Sequence, residues 1–186
     1  MNYLHLAACY RIPIDYSKDP RTSFNWDGKY LNAKNISEST LNHEICHWII
    51  ASPAERKYPD YDLGPGPQTN GNIYCNWLLI SALNGCLNMK SFKDSTKEEM
   101  MVCVLEFILE SIQNLNYKEI MVERNFLSQD GKFLISKKDF NNYIKELKKL
   151  KVIDANWTPI GIKNIMRKVH FNRLKEFKVF LKGKLT

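Results

Sequence analysis

Apolar residues recur along this chain mostly at helical spacing. The clearest stretch is 96–115, where Met101, Val104, Leu105, Ile108, Leu109 and Ile112 form one stripe. Ser95 with Glu98, or Thr96 with Glu99, supplies its capping box. An earlier helix starts near 35–39, where Asn35 and Glu38 have capping-box spacing and Ser37 and Ser39 are other caps. It runs through Leu41, Ile45, Trp48 and Ile49 and stops before Pro53. A further apolar helix is expected over 73–83, broken by Asn84-Gly85, and two more near 137–150 and 161–182. The stretch 151–159 between them reads as a short strand or turn. Residues 1–35 look irregular, with turn chemistry at Pro13, Asp19-Pro20 and Trp26-Asp27-Gly28. Residues 53–72 read as loop, since Asp62-Leu63-Gly64-Pro65-Gly66-Pro67 can continue no regular element. No internal repeat stands out. The pattern predicts a mainly α fold, with at most short strands (α+β), as a single compact helical domain built round the helix near 39–50.

Charge divides the chain unevenly. Residues 1–116 carry 10 Lys/Arg against 13 Asp/Glu, a net −3; residues 117–186 carry 17 against 7, a net +10. The expected organisation is a helical core at 1–116 with a basic helical region at 117–186 packed on it, one domain overall. The apolar run near the N-terminus is interrupted by Arg11, and no segment reaches the roughly 18 apolar residues of a membrane span. Five cysteines, an odd number with no C-x-x-C pair, argue against a disulfide framework or a cysteine-only zinc knuckle. They fit reduced thiols in a cytoplasmic protein with no membrane partner.

The candidate chemistry lies in His43-Glu44-Ile45-Cys46-His47. On a helix, residues four apart share a face, so both imidazoles reach one ion. Imidazole suits zinc, iron and other first-row metals, so one divalent ion, Fe(II) or Zn(II), is expected. Glu44 is rotated about 100° from His43, which leaves it free to serve as a general base without being a ligand. The third ligand is not obvious. The H-E-x-x-H-x-x-G-x-x-H extension is missing, since Ile50 and Pro53 occupy its last two places. Asp60 and Asp62 are nearest in sequence. Glu98, Glu99, Glu106 and Glu110 lie far downstream; Glu99, Glu106 and Glu110 share a helix face with Cys103 that reads as a solvated row. His5 and His170 are distant candidates. Arg56 and Asp60, four apart, read either as a local ion pair or as support for the ligand helix.

The residues after His47 carry more. His43-Glu44-Ile45, His47-Trp48, Ile50-Ala51, Ala54, Arg56 and Asp60-Tyr61 resemble the signature of the elongation factor P hydroxylase family, ungapped over residues 43–61. Trp77 resembles a Trp in a similar place. The resemblance implies a mostly helical metal-dependent oxygenase that modifies a protein side chain, with His43 and His47 as ligands to a non-haem metal. Where the family has acidic residues before that Trp, this chain has Gln68-Thr69-Asn70-Gly71-Asn72. The third ligand would then be an amide, a water, or a carboxylate such as Asp60 or Asp62, with Trp48, Arg56, Tyr61 and Gln68 around the pocket.

The basic third adds a partner. Residues 147–161 resemble the helix-then-wing ending of small winged-helix modules. In the last helix Phe171, Leu174, Phe177 and Leu181 alternate with Arg173, Lys175, Lys178 and Lys182. That reads as a surface helix, or as a face for an acidic partner or nucleic acid. Three functions follow as expectations. The leading one is a hydroxylase-like metal-dependent enzyme with a protein substrate. The others are a zinc-dependent hydrolase or peptidase with Glu44 as base, and a non-catalytic basic binding module with a vestigial metal motif.

Overall fold

The computed structural model describes residues 2–20, 25–59, 92–113 and 116–184, with the side chains of 92–96 excepted. The fold is mainly α, with one pair of two-residue strands among the described residues. The expected helix at 73–83 and the residues Asp60, Tyr61, Asp62, Gln68 and Trp77 lie outside the described residues. The chain divides into two compact units: Arg11–Glu99, and Met1–Tyr10 together with Met100–Thr186. The division thus falls within the long helix rather than at the change of charge near residue 116.

In the first unit, strand β1 (Ile14–Asp15) pairs in parallel with β2 (Leu31–Asn32). The link between them turns at Asp27, whose Oδ1 accepts the amide hydrogens of Lys29 and Tyr30. Gly28 has φ +87°, and a Cβ there would stand 2.9 Å from the Lys57 carbonyl oxygen, so the approach requires glycine. Helix α2 (Glu38–Ile50) follows. Its cap is Ser37, whose Oγ accepts from the Thr40 amide. Asn35 instead takes a left-handed conformation, φ 60°, before the helix. Leu41, Ile45, Cys46 and Ile49 are buried, fixing the helix on the core. After Pro53 a single 3-10 turn (Glu55–Lys57) is closed by Ser52 and Glu55, each accepting the other's amide hydrogen.

In the second unit, helix α1 (Tyr3–Cys9) occupies a stretch that reads as irregular in sequence. Asn2 caps it and Leu6 and Ala7 are buried, but seven residues are too few to display a period. Helix α3 (Phe92–Gln113) is buried all round from Met101 to Gln113. The row Cys103, Glu106 and Glu110 is therefore not a solvated face: these residues are 3%, 0% and 2% exposed. Glu106 is met by Arg124 in a two-pronged pair, Nε and Nη2 each 3.1 Å from one carboxylate oxygen. Helices α4 (Tyr117–Glu123), α5 (Lys137–Lys149) and α6 (Lys168–Lys184) complete the unit. Phe140, Ile144 and Leu147 on α5, and His170, Leu174, Phe177 and Leu181 on α6, form the inward stripes. His170 is occupied locally, its Nδ1 accepting the Arg167 amide hydrogen at the start of α6.

This unit contains a structural repeat that the sequence conceals. After α4 and after α5 the backbone runs the same course, 26 residues apart. Asn125 and Lys151 are left-handed, with φ 58° and 57°. The amides of Phe126 and Val152 return to the carbonyls of Met121 and Leu147, closing each helix. Ser128 Oγ and Asp154 Oδ1 accept from the amides of Lys132 and Thr158. Leu127 bridges to Phe133, and Ile153 to Pro159. The second copy is the strand-or-turn expected at 151–159. The likeness escapes a sequence reading because backbone hydrogen bonds, not matching side chains, carry it.

Candidate metal centre

Helix α2 brings His43 and His47 to one face, as the four-residue spacing requires. Their Nε2 atoms stand 3.2 Å apart, with the rings nearly perpendicular at 77°. Both are largely buried, 9% and 7% exposed. Glu99, in the first part of α3, places one carboxylate oxygen 3.1 Å from the Nε2 of His43 and the other 3.1 Å from that of His47. Partial burial works against the charge on Glu99. The hydrogen bonds and positive charge of the two imidazoles outweigh it and hold the carboxyl well below the usual carboxylate range.

The donor set fits one divalent ion. Donors about 2.1 Å from a common ion, at tetrahedral to octahedral angles, stand roughly 3.0–3.4 Å from one another. The three separations here fall in that interval. Two imidazole nitrogens facing each other across 3.2 Å beside a shared carboxylate also have poor use for two protons, and a cation at their centre removes the conflict.

Glu44 is 8% exposed, and its Oε1 accepts a hydrogen bond from Asn25 Nδ2 at 3.0 Å. Asn25 is held in turn by its carbonyl, which accepts from the Asn32 amide beside β2. Arg56 fastens the C-terminal end of α2. Its Nε donates to the Trp48 carbonyl at 2.9 Å, and its guanidinium lies 3.5 Å over the Trp48 ring. Trp26 Nε1 in turn donates to the Arg56 carbonyl. Arg56 thus acts on the backbone at the end of α2, one residue after His47.

The residues brought together are His43, His47 and Glu99, with Glu44, Trp48 and Arg56 around them. Asn25 was not a sequence candidate, and no motif marks it. Glu99 was one of four downstream glutamates among the sequence candidates, and nothing in the sequence singles it out from Glu98, Glu106 and Glu110. Comparison with protein-family models, with curated proteins and with solved structures finds no match to this chain.

Proposed function

We propose that this chain is a metal-dependent enzyme, that His43, His47 and Glu99 hold its one divalent ion, and that it modifies a protein side chain as the elongation factor P hydroxylase resemblance implies. The observation that supports this most is Glu99, whose two oxygens face two imidazoles at the spacing of a two-histidine, one-carboxylate set. Such a set supplies redox chemistry with iron and Lewis-acid chemistry with zinc. Glu44 is oriented by Asn25 beside the ligands, where it can take or return a proton from a substrate group. Arg56 and Trp48, both within the stretch that resembles the hydroxylase family, keep the ligand helix from fraying at His47. The proposed setting is cytoplasmic, and no helix among the described residues is long and apolar enough to cross a membrane.

A zinc hydrolase is the second reading. A glutamate from a later helix completing H-E-x-x-H is also a zinc-peptidase donor set, and Glu44 then takes the place of the general base. The vestigial-motif reading drew on the lack of a third carboxylate, and Glu99 weakens that support. The test is to load the protein with Fe(II) or with Zn(II) and to offer a lysine-bearing translation factor, with oxygen and a two-electron reductant such as ascorbate present, and a general peptide substrate. Oxygen-dependent gain of one oxygen atom by the factor with iron supports the hydroxylase; peptide cleavage with zinc that Glu44→Gln abolishes supports the hydrolase. If neither reaction occurs with either metal, the enzyme proposal is contradicted.

A further inference from the structure

The unit formed by residues 1–10 and 100–186 carries 17 Lys/Arg against 9 Asp/Glu, a net +8, and that charge is not spread evenly. On α6 the inward stripe is His170, Leu174, Phe177 and Leu181. Next to it, at the same helical spacing, run Lys168, Phe171, Lys175, Lys178 and Lys182. Four cations and one aromatic ring share this face over about 21 Å. Glu176, the one acidic residue of the helix, lies well off it.

Beside this stripe is a groove of about 290 Å³, lined by Phe171, Lys175 and Lys178 from α6, by Asp154 from the second repeat loop, and by Lys163 from the 3-10 segment Ile160–Ile165 that follows it. Asp154 is already neutralised by Lys163, 3.0 Å away, so the groove's remaining charge is positive. Lys178 is held in place by the Asn156 carbonyl below it and by the Trp157 ring, 5.3 Å from its Nζ. Partial burial lowers its pKa. Trp157 adopts φ 65° where the first repeat has Gly131 at φ 76°, a conformation that strains any residue but glycine. Phe171 keeps 42% of its surface exposed in the middle of the cations.

We propose that this face of α6, with its groove, binds single-stranded nucleic acid. Lysines spaced along a helix meet successive phosphates as point charges, and an exposed ring among them offers a base a stacking platform. A duplex keeps its bases stacked on one another and has no free face for Phe171. An acidic peptide would satisfy the lysines but leave the ring without use.

The test is binding of a fluorescein-labelled oligothymidylate to the full chain, followed by anisotropy over a range of salt. Four lysines on a single strand give a slope of log K against log salt of about −2.8. Lys175→Gln with Lys182→Gln should reduce that slope by about 1.4 and weaken binding at least tenfold. Phe171→Ala should leave the slope unchanged and weaken binding about tenfold. Lys137→Gln with Lys138→Gln, exposed on α5, should change neither by more than about twofold. The proposal fails if the α5 pair costs as much as the α6 pair, if duplex DNA of equal charge binds as tightly, or if polyglutamate of equal charge competes as well. The last result would make the partner an acidic protein. Circular dichroism melts confirm that each variant folds.

Discussion

Replacing Glu99 by Gln keeps the side chain's shape and its ability to hydrogen-bond, and removes its charge. With two neutral imidazoles alone, the centre would lose the one anionic donor that lies between them, 3.1 Å from each Nε2. Removing a group that merely orients a ligand typically costs 10–100-fold in metal affinity, so removing a ligand itself should cost about 100-fold or more. That corresponds to about 2.8 kcal/mol of binding free energy. The assay is competition for Zn(II) or Fe(II) against a chelator of known affinity, with Glu98→Gln as the companion variant. Glu98 is the next residue on the same helix, rotated about 100° from Glu99, and its loss should change affinity less than threefold. The same difference should appear as stabilisation: excess metal raises the melting temperature of the wild type by an amount set by concentration over Kd, and raises that of Glu99→Gln far less. If the Glu99 and Glu98 variants bind metal equally well, Glu99 is not a ligand and the donor-set argument falls.

Three further outcomes follow from the packing. Arg124→Met leaves the fully buried Glu106 without its two-pronged partner and should cost about 3–5 kcal/mol in urea unfolding; a cost below about 1 kcal/mol would show that other groups carry the charge. Arg56→Ala removes one hydrogen bond to the Trp48 carbonyl and the stacking on its ring, and should destabilise by about 1–2 kcal/mol while also weakening metal binding at His47. A loss of stability with unchanged metal affinity would uncouple the support from the site. Asp154 gives a pH signature. Burial raises its pKa, but the bonds from the Thr158 and Asn156 amides and from Lys163 hold it below the usual carboxylate value in the folded state. The unfolded chain therefore takes up a proton first as pH falls, so this contribution is present above about pH 4 and is lost through the acid range below it. Asp154→Asn should abolish that part of the acid dependence and lower stability at pH 7 by about 1 kcal/mol, read from melts between pH 7 and pH 3.

Much of the helical layout was legible because its signals are local. Ser37 caps α2 through its own side chain, and the stripe of α5 has the spacing of an isolated amphipathic helix. The pairing of His43 with His47 was legible for the same reason, since four residues on a helix fix their geometry. Helix α1 was hidden by its shortness. The row Cys103, Glu106 and Glu110 reads as solvated because charge usually seeks water, but α3 is buried on all sides and Arg124, 18 residues on, answers Glu106. Glu99 is a tertiary fact of the same kind. Its distance from His47 along the chain says nothing of its distance in space, and no pattern names which carboxylate closes the set. Asn25, which holds Glu44, and the repeat after α4 and α5 both depend on backbone courses that side-chain types do not announce.

We propose that two imidazoles and a carboxylate from α2 and α3 hold one metal ion. X-ray absorption at the metal edge of the loaded protein addresses it most directly. A first shell of nitrogen and oxygen at about 2.0–2.2 Å with the outer scattering of two imidazole rings is expected, and the loss of that imidazole signal when His43 and His47 are replaced by alanine. A first shell of water oxygens with no imidazole scattering, or a spectrum indifferent to His43 and His47, would contradict it.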